Sequence, residues 1–203
     1  MKKFSLVILS LDGSHKSLNC NFPHETLIVK TRGWGKARCF GIDNAQNDFV
    51  VMVNGDVEVK AEAWPLLFSC KHGEFFMANH NGGACSRIFA IHREDCNSVC
   101  FNSSLKYIFE DGDFYVRALA KGFKCHIVPS NLYVHPTHYN PILFDFKQSW
   151  FLDWEYSRMF AKYSFFVRRD LFNFFIQPFS VKRVPNMILR VYATLFWVAR
   201  GWF

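Results

Sequence analysis

From Phe49 to Val59 the chain runs FVVMVNGDVEV, an apolar stretch that stops abruptly on Asn54, Gly55 and Asp56. Phe49 to Val53 is apolar at every position and rich in β-branched residues, the pattern of a strand buried on both faces. That is the usual state of a strand inside a parallel sheet. A carboxylate just beyond such a strand stands at the carboxyl edge of the sheet, where α/β folds bind their ligands. Asp56 and Glu58 are two apart, so an extended backbone points both to one side, with a hard cation or a phosphate as guest. The alternative is an acidic surface turn after a core strand, and this segment alone does not choose between them.

The 203-residue chain fits one domain with an appendage and is long enough to bury a substantial core. Half of it is hydrophobic, which excludes global disorder. The net charge of +7 is unevenly placed: up to Phe144 there are 15 Lys/Arg against 13 Asp/Glu, and from Asp145 onward 9 against 4. The later part also holds 18 of the 37 aromatic residues, so it is expected to meet an anionic partner. The seven cysteines follow no metal-finger spacing, and most are expected to be buried thiols. Lys2 and Lys3 precede an apolar run too short for a signal peptide, and no apolar stretch reaches the roughly 18 residues needed to span a bilayer. A cytoplasmic protein is the expectation.

Phe4 to Leu11 reads as a first buried strand closed by the Asp12-Gly13 turn, with a short helix after Ser14. Thr26 to Lys30 reads as a second strand. Gly33 to Asn47 has a helical pattern, with Ala37, Phe40, Gly41 and Ala45 on one face. Phe49 to Val53 follows, so strand, helix and strand alternate as in βαβ units of a right-handed parallel sheet. Further strands are expected at Phe75 to Ala78, Ser86 to Ile91 and Lys124 to Val128, and an amphipathic helix at Gly112 to Lys121. Beyond Phe144, aromatic segments studded with Arg and Lys read as helices broken near Pro178 and Pro185.

Four blocks in order resemble the family-two-type glycosyltransferases of the GT-A fold. Gly33-Trp-Gly-Lys-Ala-Arg38-Cys-Phe-Gly41-Ile is similar to that family's G-x-x-x-A-R-N-x-G-I helix, and FVVMVNGDVEV to its D-x-D metal strand. Gly82-Gly83-Ala84 running to Ile91-His92-Arg93-Glu94 resembles its gga…aiRRe strand. Phe109-Glu110-Asp111-Gly112-Asp113-Phe114, with Arg117, Gly122, Pro129 and His135, resembles its f-E-D-x-D-l…R…G…vP…vvH block. The resemblance spans roughly residues 4 to 138. It implies an α/β, Rossmann-like GT-A domain over 1–144, its mostly parallel central sheet flanked by helices, and an aromatic helical C-terminal extension over 145–203.

It also implies the chemistry: a sugar moves from a nucleotide-diphosphate donor to a hydroxyl acceptor, with Mn2+ or Mg2+ as cofactor and inversion at the anomeric carbon. A divalent ion neutralises the leaving diphosphate and takes one or two carboxylates. Asp56 is the expected ligand, with His135 approaching the metal or diphosphate; Glu58 is a second-choice ligand or an exposed strand carboxylate. The acceptor must lose a proton, and the resemblance gives that role to Asp111, with Asp113 as its substitute. The alternative is that Glu110, Asp111 and Asp113 form an acidic helix start, favourable against the helix dipole. Ser10, Leu11, Asp12, Arg38, Asn54, Gly55, Asp56 and Gly83 are the expected donor contacts. For His135 the alternative is a structural histidine after a strand, and for Arg38 a surface ion pair.

Two departures stand out. Asn54 replaces the leading Asp of the metal motif, and Lys30-Thr31-Arg32 stands where the family has a base-reading Asp. One strand-helix unit after the second strand is missing, which shifts nucleotide contact toward Ser10, Leu11 and Asp12. These departures keep open a non-catalytic nucleotide-sugar or glycan-binding relative. A nucleotidyltransferase would want a Gly-rich basic loop after the first strand, of which LSLDGSHK is a poor version. The basic aromatic tract over 145–203 suits either a peripheral helix on anionic membrane or a helix packed on the domain. Nucleic acid is not an expected partner, because no sheet platform interleaves aromatic and basic residues.

Overall fold

The computed structural model describes residues 3–16, 18–80, 83–105 and 110–135, all within one compact unit, Met1–His138. The expectations for the 145–203 extension and for a boundary at Phe144 lie outside the described residues. Among the described residues no helix is long and apolar enough to cross a membrane.

A six-stranded sheet forms the centre, with spatial order β2 (His24–Val29), β1 (Phe4–Leu9), β3 (Phe49–Asn54), β6 (Gly83–His92), β5 (Glu74–His80) and β7 (Lys124–Val128). β1 pairs in parallel with β2 and β3, and β5 in parallel with β7. β6 lies antiparallel to both of its neighbours, so it alone is reversed in a mostly parallel sheet. The reversal has a topological consequence. The carboxyl end of β3 meets the middle of β6, with Val53 opposite Ile88, and the amino-terminal half of β6 runs on past it.

Side-chain alternation explains why β1 and β3 are apolar at every position. Phe4, Leu6, Ile8, Phe49, Val51 and Val53 enter one core, covered by α2 (Ala63–Phe68) with Trp64 and Leu67. Val7, Leu9, Val50 and Met52 enter the other, covered by α1 (Trp34–Asp43), α3 (Arg93–Val99) and α4 (Glu110–Ala120). Both faces of the sheet are therefore dry, as a parallel core requires. A second, two-stranded sheet pairs β4 (Glu58–Val59) antiparallel with β8 (Tyr133–Val134).

Three local expectations need correction. Among the described residues no helix follows Ser14. Asp12 Oδ1 instead accepts the Ser14 backbone N–H at 2.9 Å, and the Lys16 N–H goes to the Gly55 carbonyl at 2.9 Å, so these backbone donors have left the helical ladder. The helix from Gly33 ends at Asp43 rather than Asn47, because the Asn44 side chain takes the Phe40 carbonyl at 2.8 Å. Phe40 is also exposed, while Ala37, Gly41 and Ala45 are buried. Asp56 and Glu58 do not share an extended segment: the Val57 N–H returns to the Asn54 carbonyl at 3.0 Å, closing a turn between β3 and β4.

Candidate active site

The carboxyl ends of β1 and β3, the amino-terminal end of β6 and the start of α4 gather at one edge of the sheet. After β1 the chain makes a tight loop. Ser10 donates its hydroxyl to Asp12 Oδ1 at 2.8 Å, and the Ser14 hydroxyl donates to the same oxygen at 2.7 Å. These hydrogen bonds to the charged form hold the Asp12 carboxyl down at about 2. The loop packs onto the turn after β3. A Cβ on Gly55 would stand 2.7 Å from the Ser14 carbonyl oxygen and 2.8 Å from Ser10 Cβ, so only glycine lets the two backbones approach this closely.

Between these loops lies an open cleft of about 540 Å³. Ser10, Leu11, Asp12, Asn54, Gly55 and Asp56, all expected donor contacts, line it together. Ser14, His15, Lys16 and Trp34 line it as well. None of these four had been expected at the site, though GSHK and GWGK sit beside the motifs that were. Gly83 opens β6, opposite His80 in register, at the same sheet edge.

Asp56 and His135 meet across 79 positions of sequence. His135 Nε2 is 3.1 Å from Asp56 Oδ2, with the carboxylate side chain 54% exposed and the imidazole 20%. The β4–β8 pairing makes the meeting possible, because Glu58 lies opposite Val134 and His135 is the next residue. With Nε2 protonated the ring donates to Asp56; with it deprotonated, nitrogen and oxygen both present lone pairs to one cation. The carboxylate oxygen suits a hard cation such as Mn2+ or Mg2+, and the imidazole nitrogen is a ligand for transition metals. Among the described residues no group of three His, Cys, Asp or Glu side chains converges on a metal position. A cation at Asp56 and His135 would complete its shell from phosphate oxygens and water.

Arg38 connects this corner to the start of α4. It is only 1% exposed, which excludes a surface ion pair and also removes it from the cleft wall. Its Nη2 donates to the Ser86 carbonyl at 2.9 Å and to Asn54 Oδ1 at 3.4 Å, and Nη1 stands 3.4 Å from Glu110 Oε1. The guanidinium also lies 5.5 Å from the Trp34 ring centre and 5.6 Å from that of Phe101. Burial lowers the Arg38 pKa, and the Glu110 and Asp111 carboxylates oppose that shift.

The acidic cluster divides. Asp111 Oδ2 accepts the Ser86 backbone N–H at 3.2 Å, and Oδ1 accepts the Gly112 N–H at 2.8 Å, so the carboxylate is held against β6 at the site edge. Asp113, expected to substitute for it, is elsewhere. It is completely buried, and its Oδ2 accepts Arg117 Nε at 2.7 Å. Arg117 goes on to the Val99 and Cys100 carbonyls at the end of α3. Two positions along a helix is a turn of about 200°, enough to send neighbouring carboxylates to opposite sides. The helix-start alternative holds too, since Glu110, Asp111 and Asp113 all fall in the first turn of α4.

No protein-family model matches the chain, and no curated protein matches its sequence. Solved structures do match its fold. TarS from S. aureus, residues 1–349, in complex with UDP-GlcNAc, aligns with a TM-score of 0.58 at 13% identity, covering 98% of this chain and 82% of that one. A mutant Drosophila β-1,4-galactosyltransferase 7, in complex with manganese, UDP-Gal and xylobiose, aligns with a TM-score of 0.52 at 12% identity. That alignment covers 72% of this chain and 75% of the other. The architecture is that of GT-A glycosyltransferases: a mixed α/β fold with a mostly parallel central sheet flanked by helices.

Proposed function

We propose that this chain is a glycosyltransferase that moves a sugar from a nucleotide-diphosphate donor to a hydroxyl acceptor. The observation that carries the reading is one cleft walled by Ser10 to Asp12 and Asn54 to Asp56, with His135 on the Asp56 carboxylate and Asp111 on the Ser86 amide of the neighbouring strand β6. The donor complexes of the two similar structures, UDP-GlcNAc in one and UDP-Gal with manganese in the other, support the substrate class.

In this reading the nucleotide lies along the Ser10–Asp12 loop and the diphosphate reaches toward Asp56 and His135. A divalent cation held by those two residues, Mn2+ or Mg2+, would neutralise charge developing on the leaving diphosphate. Asp111 takes the acceptor's proton as its oxygen attacks the anomeric carbon. One carbon–oxygen bond forms, the bond to the diphosphate breaks, and the proton ends on the Asp111 carboxylate. A single displacement from the face opposite the leaving group inverts the anomeric centre. Arg38 and Glu110 act as positioning residues, fixing β3, β6 and α4 relative to one another.

Asp56→Ala tests the assignment. Calorimetry with Mn2+ and a panel of nucleotide sugars should show donor binding to the native chain and loss of its metal-dependent part in the variant. Unchanged binding would sink the metal assignment. Asn54 and Lys30 favour a second reading, a binding protein on the same fold without catalysis. Release of free nucleoside diphosphate in a donor-hydrolysis assay separates the two, because a binding module releases none.

A further inference from the structure

We propose that Lys16 is a diphosphate-binding residue, a protein cation brought to the donor cleft by the β1–β2 connection. The inference rests on the reading of the cleft as a nucleotide-diphosphate site and goes beyond it, since neither the metal corner nor the base at Asp111 involves Lys16.

Placement is the first argument. Lys16 is the second residue after Ser14, whose carbonyl sits against Gly55, and its own N–H bonds the Gly55 carbonyl at 2.9 Å. That bond holds Lys16 one residue from Asp56. The side chain lines the same cleft wall as Asn54, Gly55 and Asp56, and among the described residues no carboxylate is paired with it. An exposed lysine with no carboxylate partner among the described residues, fixed by its backbone beside a cleft, is placed to meet an anion.

Charge balance is the second. Among the described residues the cleft lining carries two carboxylates, Asp12 and Asp56, and one formally charged cation, Lys16. Asp12 is turned onto its own loop, with one oxygen accepting from Ser10 and Ser14. A diphosphate diester brings about two negative charges to this wall, so a cation beside Asp56 reduces the repulsion that a metal would otherwise offset alone. Asn54 works in the same direction. Its Oδ1 accepts from Arg38, which leaves the amide's remaining polar atom as a donor at the cleft, where a carboxylate would have added a third negative charge. A second lysine flanks the loop. A Cβ on Gly13 would stand 2.7 Å from Lys30 Nζ, so that ammonium lies over the turn.

The chemistry predicted is direct, metal-independent contact with phosphate oxygens. Calorimetry on the full chain would measure UDP, GDP and ADP binding with Mn2+ and again with EDTA, followed by the nucleoside of whichever diphosphate binds. Lys16→Met should weaken diphosphate binding roughly tenfold in both conditions, the size of a partly exposed charge-assisted contact, and Lys16→Arg should restore most of it. Nucleoside affinity should not change. Equal diphosphate affinity in Lys16→Met and the native chain would overturn the proposal while leaving the glycosyltransferase reading intact. Equal weakening of nucleoside and diphosphate would also overturn it, by assigning Lys16 to the nucleoside. Failure of the native chain to bind any of the three diphosphates would instead remove the underlying reading, and this inference with it.

Discussion

Arg38 Nη1 and Glu110 Oε1 stand 3.4 Å apart with both side chains almost fully buried, joining α1 to the first residue of α4. The pair is an ion pair without hydrogen-bond geometry at Nη1, and Arg38 Nε also lacks a hydrogen bond among the described residues. Such a pair offsets the desolvation of its charges only in part, yet removing Arg38 takes away the cation that stands beside the buried Glu110 carboxylate. Arg38→Ala should therefore destabilise the domain by about 3–5 kcal/mol in chemical unfolding. The double variant Arg38→Met/Glu110→Leu should recover most of that loss, because neither charge is then left buried. Equal destabilisation by the single and double variants would show that the contacts to Ser86 and Asn54, rather than the charge pair, hold these elements.

Asp111 and Asp113 are two residues apart and should respond to substitution in different ways. Asp111→Asn keeps the size of the side chain and one acceptor oxygen, enough for one of the two amides of Ser86 and Gly112, but it cannot take a proton, so transfer should fall by roughly 10²–10⁴-fold with donor affinity kept. Asp113→Asn removes the charge of a buried carboxylate that accepts from Arg117, whose side chain is 30% exposed. Solvent screening at Arg117 limits the cost to about 1–3 kcal/mol of stability, with transfer by the folded fraction little altered. Single-turnover transfer rates and unfolding curves on the two variants measure the separation. Full transfer by Asp111→Asn would remove it from the role of base.

How legible these features were in the sequence depended on how local their causes are. Phe49–Asn54 could be read directly, because both of its faces are covered and every position must be apolar. The reversed direction of β6 could not. Its residues have the same composition as a parallel strand, and direction is set by which neighbours it finds. α2 and α3 escaped notice because they are short, α2 with Pro65 in its first turn and α3 with a polar surface sequence. At the site, Asp56 and His135 came from the order of the motifs, while their 3.1 Å contact depends on the β4–β8 pairing, which joins two-residue strands with no sequence signature. The three acidic residues at the start of α4 read as one cluster because spacing alone does not say which helix face finds a partner. Arg117, four residues from Asp113, was the signal that could have divided them.

Gly35 should tolerate no side chain. In α1, one turn before Arg38, a Cβ at this position would stand 2.2 Å from the Asn102 carbonyl oxygen and 2.9 Å from that of Leu105. Both obstacles are backbone, and the Gly35 N–H itself donates to Leu105 at 3.2 Å, so relief requires moving the helix or the segment against it. Gly35→Ala should cost about 3 kcal/mol, the upper end for overpacking, which lowers Tm by roughly 6–12 °C in a domain of this size. Helix propensity alone would make alanine stabilising, so the sign of the change is diagnostic. A thermal melt of the variant with an unchanged or raised midpoint would contradict the close approach.

Asp12 offers a titration readout of the donor loop. Its carboxyl is held down at about 2 from an ordinary 3.8 by the Ser14 hydroxyl first, then the Ser14 N–H and the Ser10 hydroxyl. A depressed carboxylate contributes its loop-ordering effect fully above the unfolded value and loses it as pH falls through the folded one. The Ser10–Ser14 loop should therefore keep its hydrogen bonds above about pH 4 and loosen between about pH 4 and 2. Carboxyl-carbon NMR on the native chain should place the Asp12 midpoint near 2, and Ser14→Ala should move it up toward 3.8. A native midpoint already at the ordinary value would mean that the serine hydroxyls do not hold this carboxylate in solution. The cleft wall that positions Lys16 beside Asp56 would then need another support.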